Sequence, residues 1–509
     1  MVALLGIIEI SNTDIELVIY EKTENKDMFN VLEYISEEIN LSPEDESNNS
    51  ISMGEIDKLC KIILKMKNIL KDYDVTNTIV TAKNFFNKIK NLNIILDYIF
   101  IKTNFKISIP TPFERKRLIL KKFIQFEKSM LTSASNTLLL SLEKESIDFY
   151  LFSKNKLLLD ESLETSDIFQ IVENEKLSND EMFDFIEDQL KTYLLSLKTQ
   201  IGRKKILNLS IIGDEDKYLT TILESKGIKN LQTDDLKNIL NNLKKKSFKD
   251  ITKKYNITNQ EAIHIFTKFS ILEIIRDFFD IKILKYLSYD SKNIIAYENF
   301  YKDEKKVLRE KMWKMTLDLL DDFGNKYNFN KNHVAFVLES SETIFDSLSD
   351  LHQLGTEYKK YLILASYLQD VGKYIGFSNH NRHSNYIIEN SFIFGLTEKQ
   401  LRKIIFLVSI SKTNSILENS DKFEIPENEI IPFVKLGAIL KLARSLDESK
   451  KQKFKNFKAT LKNNSLVLEA ESTENFLLEK FSINKNLDLF KNVFNLDIEL
   501  KIKRRYHGE

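Results

Sequence analysis

Glycine is scarce in this chain of 509 residues: it has 12, about 2% against the ~7% of average proteins. No two of them lie within three positions of each other. The P-loop and the dinucleotide-binding fingerprint both need closely spaced glycines, because backbone N–H groups must approach phosphate with no Cβ in the way, so both are excluded. A single cysteine, Cys60, excludes an intramolecular disulfide and any multi-cysteine metal site. It falls on the apolar side of a helical stretch and is expected to be a buried thiol. Net charge is also lacking, with 75 basic and 75 acidic side chains, so no global field draws nucleic acid or an anionic membrane. No apolar run approaches the ~20 residues of a membrane helix. The opening "MVALLGIIEISNTD" has no basic leader and reads as a first strand, which places the protein in the cytoplasm.

What is present suffices for several cores: 42% of the residues are hydrophobic, and the length fits about three to four domains. Strands at 3–10 and 15–21 flank Ser11, Asn12, Thr13 and Asp14, a hairpin signal. Ile56, Leu59, Cys60, Ile63, Leu64, Met66, Ile69 and Leu70 then recur at helical spacing, and strand, helix and strand follow up to Pro110 and Pro112. A second hairpin, "TLLLSLEKESIDFYLF" at 137–152, opens a repeat of the same order, in which the strand "ILNLSII" ends at Gly213. Two hairpin-led α/β halves in tandem predict a duplicated architecture with a cleft between them. From about residue 300 the pattern is helical, and the final stretch returns to strands near 457–461, 465–470 and 496–503 around a helix at 473–493.

"LASYLQDVGKYIGFSNHNRHSNYIIENS", "LKLARSLDES" and "LEKFSINKNLDLFKNVFNLDIELKI" resemble segments of the exopolyphosphatase and guanosine pentaphosphate phosphatase family, Ppx/GppA, in its long form. The resemblance implies two tandem actin-like (ASKHA, ribonuclease H-like) domains at 1–126 and 127–300, a helical HD-type domain at 301–455 and a small C-terminal α+β domain at 456–509. It also implies Mg²⁺-assisted release of terminal phosphate from polyphosphate or pppGpp, and a homodimer.

The resemblance weakens at the phosphate loops. The family's Asp-hydrophobic-Gly-Ser-Asn-Ser loop, with a base two positions on, aligns with Glu9, Ile10, Ser11, Asn12, Thr13, Asp14 and then Glu16. Its Asp-Ile-Gly-Gly-Gly-Ser loop aligns with Ser141, Leu142, Glu143, Lys144, Glu145 and Ser146, so that the family's metal-site Asp becomes Ser141, while its later acidic residue survives as Asp148, a candidate to stand near the metal. Its third loop keeps only the first glycine, Gly213, followed by Asp214, Glu215, Asp216 and Lys217. A carboxylate ~4 Å from a phosphate charge costs on the order of 4 kcal/mol at an effective dielectric near 20. The family's general-base Glu aligns with Glu114.

HD-type hydrolases bind metal through one His, a His-Asp pair and a distant Asp. His333, Asp370 and Asp447 fall at the matching places, but Gln369 replaces the paired His, with His380 and His383 nearby. His264, His352 and Trp313 read as structural. Three readings follow: a divergent member with impaired or lost catalysis and a binding or regulatory role, which the loop losses favour; an active Mg²⁺-dependent phosphatase using Glu114; and a metal-dependent phosphohydrolase working from the HD-like domain.

Overall fold

The structure, a computed structural model, describes residues 3–23, 29–41, 49–126, 135–143, 146–154, 156–214, 232–289, 291–300, 304–391, 393, 395–412 and 422–504. The chain divides into two compact units, Met1–Met315 and Thr316–Glu509.

The first unit is built on two five-stranded sheets. One contains β1 (Leu4–Ile10), β2 (Asp14–Lys22), β3 (Phe29–Glu38), β4 (Thr78–Ala82) and β5 (Ile107–Ser108), in the order β3-β2-β1-β4-β5. The other contains β6 (Asn136–Leu142), β7 (Ser146–Ser153), β8 (Lys156–Glu164), β9 (Ile206–Asp214) and β10 (Ile283–Tyr289), in the order β8-β7-β6-β9-β10. In each, the first three strands form an antiparallel meander and the last two run parallel to the first. The sheets therefore repeat one topology, the duplication the two hairpin signals foretold. The third strand of each meander is an addition to that reading: β3 and β8 are sheet edges whose polar side chains alternate with half-buried ones.

Helices α1 (Met53–Asp72) and α2 (Leu92–Thr103) cover one face of the first sheet, and Cys60 is buried there, as its place on the apolar face requires. On the second sheet the corresponding face is covered by α4 (Ser166–Asn174), α5 (Asn179–Ile201), α6 (Thr233–Lys244), α7 (Phe248–Tyr255) and α8 (Asn259–Phe278).

The remaining faces are covered by exchange. Helix α3 (Pro112–Phe126) follows the first sheet in sequence but packs on the second, where the rings of Phe123 and Phe152 lie 5.0 Å apart. Helix α9 (Ser291–Phe300) follows the second sheet and packs on the first, joining Ala296, Tyr297 and Phe300 to Leu5, Ile7, Val18 and Tyr20. The two halves are thus tied by apolar surface on both sides.

The second unit takes over within α10 (Glu304–Lys326) and continues through α11 (Lys331–Ser347), the short α12 (Ser349–His352), α13 (Thr356–Leu368), α14 (His380–Glu389), α15 (Glu398–Ile410) and α16 (Glu427–Ser445). It ends on a three-stranded sheet, β11 (Lys455–Lys462), β12 (Ser465–Ser472) and β13 (Asp497–Arg504), with α17 (Leu477–Phe494) crossing between the last two strands. Among the described residues no helix is long and apolar enough to cross a membrane.

Candidate functional site

The hairpin positions that resemble phosphate loops are occupied by the protein's own groups. In the first hairpin Ser11 is buried, and its Oγ accepts from the backbone N–H groups of Thr13 (3.1 Å) and Asp14 (2.9 Å) while donating to Asp14 Oδ1 (2.6 Å). Backbone donors of this kind hold a phosphate in a glycine loop; here they are spent on a serine turn closed upon itself. Asn12 and Thr13 use their carbonyls to accept from Leu41 and Ile39.

Beside this turn, Glu9 and Glu16 stand directly opposite each other in the β1–β2 register. The buried Lys292, from α9, donates to both, at 3.3 Å to Glu9 Oε2 and 2.7 Å to Glu16 Oε2. Ser291 also donates to Glu9, and Lys83 Nζ lies 3.8 Å from it. Burial pushes the Glu16 carboxyl up, but Lys292 outweighs it and holds the group below the ordinary value. Tyr34, which donates to Glu16, is pushed up to about 12 by burial and by that bond.

The second hairpin repeats the device with the roles exchanged. Ser141 and Asp148 face each other across β6 and β7, the same relation as Glu9 and Glu16. Lys116, from α3, lies 2.9 Å from the buried Asp148, which also accepts from Ser162 Oγ. Its neighbour Arg115 pairs with Glu143. Ser146 O accepts from Glu143 N–H at 3.0 Å, closing the turn. Lys144 and Glu145 lie outside the described residues. Each half thus sends the cations of its trailing helix into the hairpin carboxylates of the other. In the third loop Gly213 continues β9 opposite Ser288 of β10, and residues 215–217 lie outside the described residues.

Glu114 is engaged at the start of α3. Its Oε2 accepts from Thr111 N–H (3.1 Å), while Thr111 Oγ1 accepts from Glu114 N–H (3.2 Å). This is a reciprocal capping box, which ties the carboxylate to the helix start.

Asp160 differs from these paired acids. It faces Tyr150 across β7 and β8, and its two buried carboxylate oxygens have no hydrogen-bond partner among the described residues. Burial, reinforced by Asp148 and Glu161 and opposed by Lys116, pushes its carboxyl well above the usual range. A carboxyl raised on folding favours the native state most below its unfolded pKa, near 4, and that contribution is lost as pH rises through the folded value. Asp160→Asn is therefore expected to stabilise the protein at pH 7–8 by on the order of 1 kcal/mol, with the gain vanishing towards pH 4 in urea titrations.

Mg²⁺ is the ion that the resemblance implies. The carboxylates that would receive it, Glu9 and Asp148, each face a lysine already, and among the described residues no group of three His, Cys, Asp or Glu is placed to hold a metal. The residues present do not fit the ion.

In the second unit the structure brings His333, Asp370 and Asp447 together, from the start of α11, the end of α13 and the end of α16. His333 Nδ1 lies 2.8 Å from Asp447 Oδ2, and its Nε2 lies 3.8 Å from Asp370 Oδ2. Asp447 further accepts from Gln452 N–H (2.7 Å) and Nε2 (2.9 Å). Asp370 is surrounded by cations: it pairs with Lys373, and lies 3.2 Å from Lys450 and 3.8 Å from Arg444. Burial alone would raise its carboxyl, but Arg444, Lys373 and Lys412 hold it far below the usual range. Lys412 donates to the carbonyl of Gln369. His380 donates through Nδ1 to Phe377 O (3.1 Å) rather than joining the acids. His264 lies against Glu173 and His352 against Phe345 O.

None of these cations was identified from sequence. Lys292 carries no motif and acts 276 residues away from Glu16, and Lys373, Lys412, Arg444 and Lys450 gather only when four segments meet.

A duplicated pair of α/β halves whose hairpins close on themselves, followed by a helical unit with a small sheet, is the class that fold and site define. Residues 319–490 match the family model described as Ppx/GppA phosphatase, domain III. No curated protein matches the chain. Among solved structures it is similar to a Ppx/GppA family member of Aquifex aeolicus, with 13% identity and a TM-score of 0.49 over 60% of this chain and 99% of that one. It is also similar to an exopolyphosphatase from Cytophaga hutchinsonii, with 15% identity and a TM-score of 0.48 over 59% and 98%.

Proposed function

We propose that this chain is a divergent Ppx/GppA protein whose phosphoanhydride hydrolysis is impaired or lost. Its role is binding or regulation linked to polyphosphate or guanosine penta- and tetraphosphate metabolism, in the cytoplasm and as a homodimer. In this reading its domains are residues 1–126, 127–300, 301–455 and 456–509, the third being of HD type. The observation that carries it is the reciprocal exchange of cations between the halves. Lys292 neutralises Glu9 and Glu16, and Arg115 and Lys116 neutralise Glu143 and Asp148, at the positions where related enzymes hold phosphate. A phosphate entering either hairpin would meet carboxylates whose counter-charges are already committed, and in the first hairpin the backbone donors of Thr13 and Asp14 are already bonded.

Purified protein with Mg²⁺ is expected to release no phosphate from long-chain polyphosphate or pppGpp above the rate of its Glu114→Ala variant. Turnover abolished by Glu114→Ala would overturn the reading in favour of an active phosphatase. Turnover that instead followed Asp370→Ala would assign catalysis to the helical unit.

A further inference from the structure

We propose that the second unit binds a phosphate-bearing anion at the cationic cluster around Asp370, where an HD-type protein would hold metal. Lys373, Lys412, Arg444 and Lys450 converge there from the turn at Val371–Tyr374, the residues after α15, the last turn of α16 and the loop beyond it. Among the described residues Asp370 is the carboxylate that faces them, since Asp447 is turned to His333 and Gln452. Lys373, Arg444 and Lys450 against one carboxylate leave an excess of positive charge in a partly desolvated site, where burial and Arg444 push the Lys412 ammonium well below its ordinary value. Such a cluster attracts an anion and repels a divalent metal.

Its hydrogen-bonding groups narrow the chemistry. Lysine and arginine supply donors, and arginine offers the planar fork that suits phosphate oxygens. Gln369 is fully buried, and its Oε1, with Asp370 Oδ1, has no hydrogen-bond partner among the described residues. These two acceptors suit a ligand that also carries a hydrogen, such as the P–OH of a monoprotonated phosphate. The adjoining segments expose Tyr374, Phe377 and Tyr386, at 62%, 81% and 63%, aromatic faces on which a nucleotide base can stack. The shared chemistry is the phosphate group, and its source is either an inorganic chain or a nucleoside polyphosphate.

The site lies in a different unit from the hairpins, so it stands whether or not the first unit turns over. Calorimetric titration of the full chain with sodium tripolyphosphate and with GTP, both without metal, tests it. We expect saturable binding that weakens at least tenfold in Lys412→Gln and in Arg444→Gln, with thermal unfolding showing that both variants are folded. Asp370→Asn is expected to tighten binding several-fold, whereas at a metal site it would lower affinity. Equal binding of the two ligands supports an inorganic chain; tighter binding of GTP that is lost in Phe377→Ala supports a nucleotide. Absence of binding at millimolar ligand, or binding unchanged in both cation variants, overturns the proposal.

Discussion

Lys292→Met destabilises the protein by about 3–5 kcal/mol, the cost of removing one partner from a buried ionic group. Lys292 is 3% exposed and holds apart the charges of Glu9 and Glu16, which face each other across adjacent strands. Without it two carboxylates share a desolvated space in which Lys83, 3.8 Å from Glu9, is the remaining cation among the described residues. The triple variant Lys292→Met, Glu9→Gln, Glu16→Gln is expected to recover most of the loss, because a neutral set of similar volume carries no uncompensated charge. pH dependence supplies an independent sign. In the wild type Glu16 is held below its ordinary value, so its contribution is present above the unfolded pKa, near 4, and is lost as pH falls through the folded value. In Lys292→Met the same carboxyl is raised instead, and the deficit shrinks on acidification from pH 7 to 5. Urea midpoints of the three proteins at the two pH values check this.

Gly372→Ala is expected to cost about 3 kcal/mol or more, at the upper end of overpacking effects. A Cβ at this position would lie 2.2 Å from His380 O and 2.2 Å from Ser384 N, both backbone atoms of α14, which no rotamer change can move aside. The same helix bonds the turn through Ser384 Oγ, which accepts from Gly372 N–H (2.9 Å) and donates to Gln369 O (3.0 Å). Pushing α14 away therefore loosens Gln369 and Asp370 together. Gly6→Ala is the control: there the closest atom is Leu70 Cδ2, the tip of a flexible side chain, and a smaller loss in thermal unfolding is expected.

The strands beginning each half were legible because Leu5, Ile7, Ile8 and Ile10, or Leu138, Leu139 and Leu140, form apolar runs next to polar turns. The meander edges were not, since β3 and β8 carry as many polar as apolar side chains and are held by register rather than by burial. The loss of glycine from the hairpins was visible in one sequence. What took its place was not, because Lys292 and Glu16, or Lys116 and Asp148, meet only through the exchange of α3 and α9 between the sheets. In the second unit the resemblance to HD-type domains singled out His333, Asp370 and Asp447, which lie together in the structure. The cations around Asp370 come from segments with no shared motif, and their excess charge is a property of the assembled site.

The most direct test of the closed hairpins is a titration of tripolyphosphate with Mg²⁺ into the full chain carrying both Lys412→Gln and Arg444→Gln, which removes the contribution of the second unit. The account predicts no saturable heat at millimolar ligand, because Lys292, Lys116 and Arg115 are committed to the hairpin carboxylates within the protein. Saturable Mg²⁺-dependent binding by that variant would contradict it.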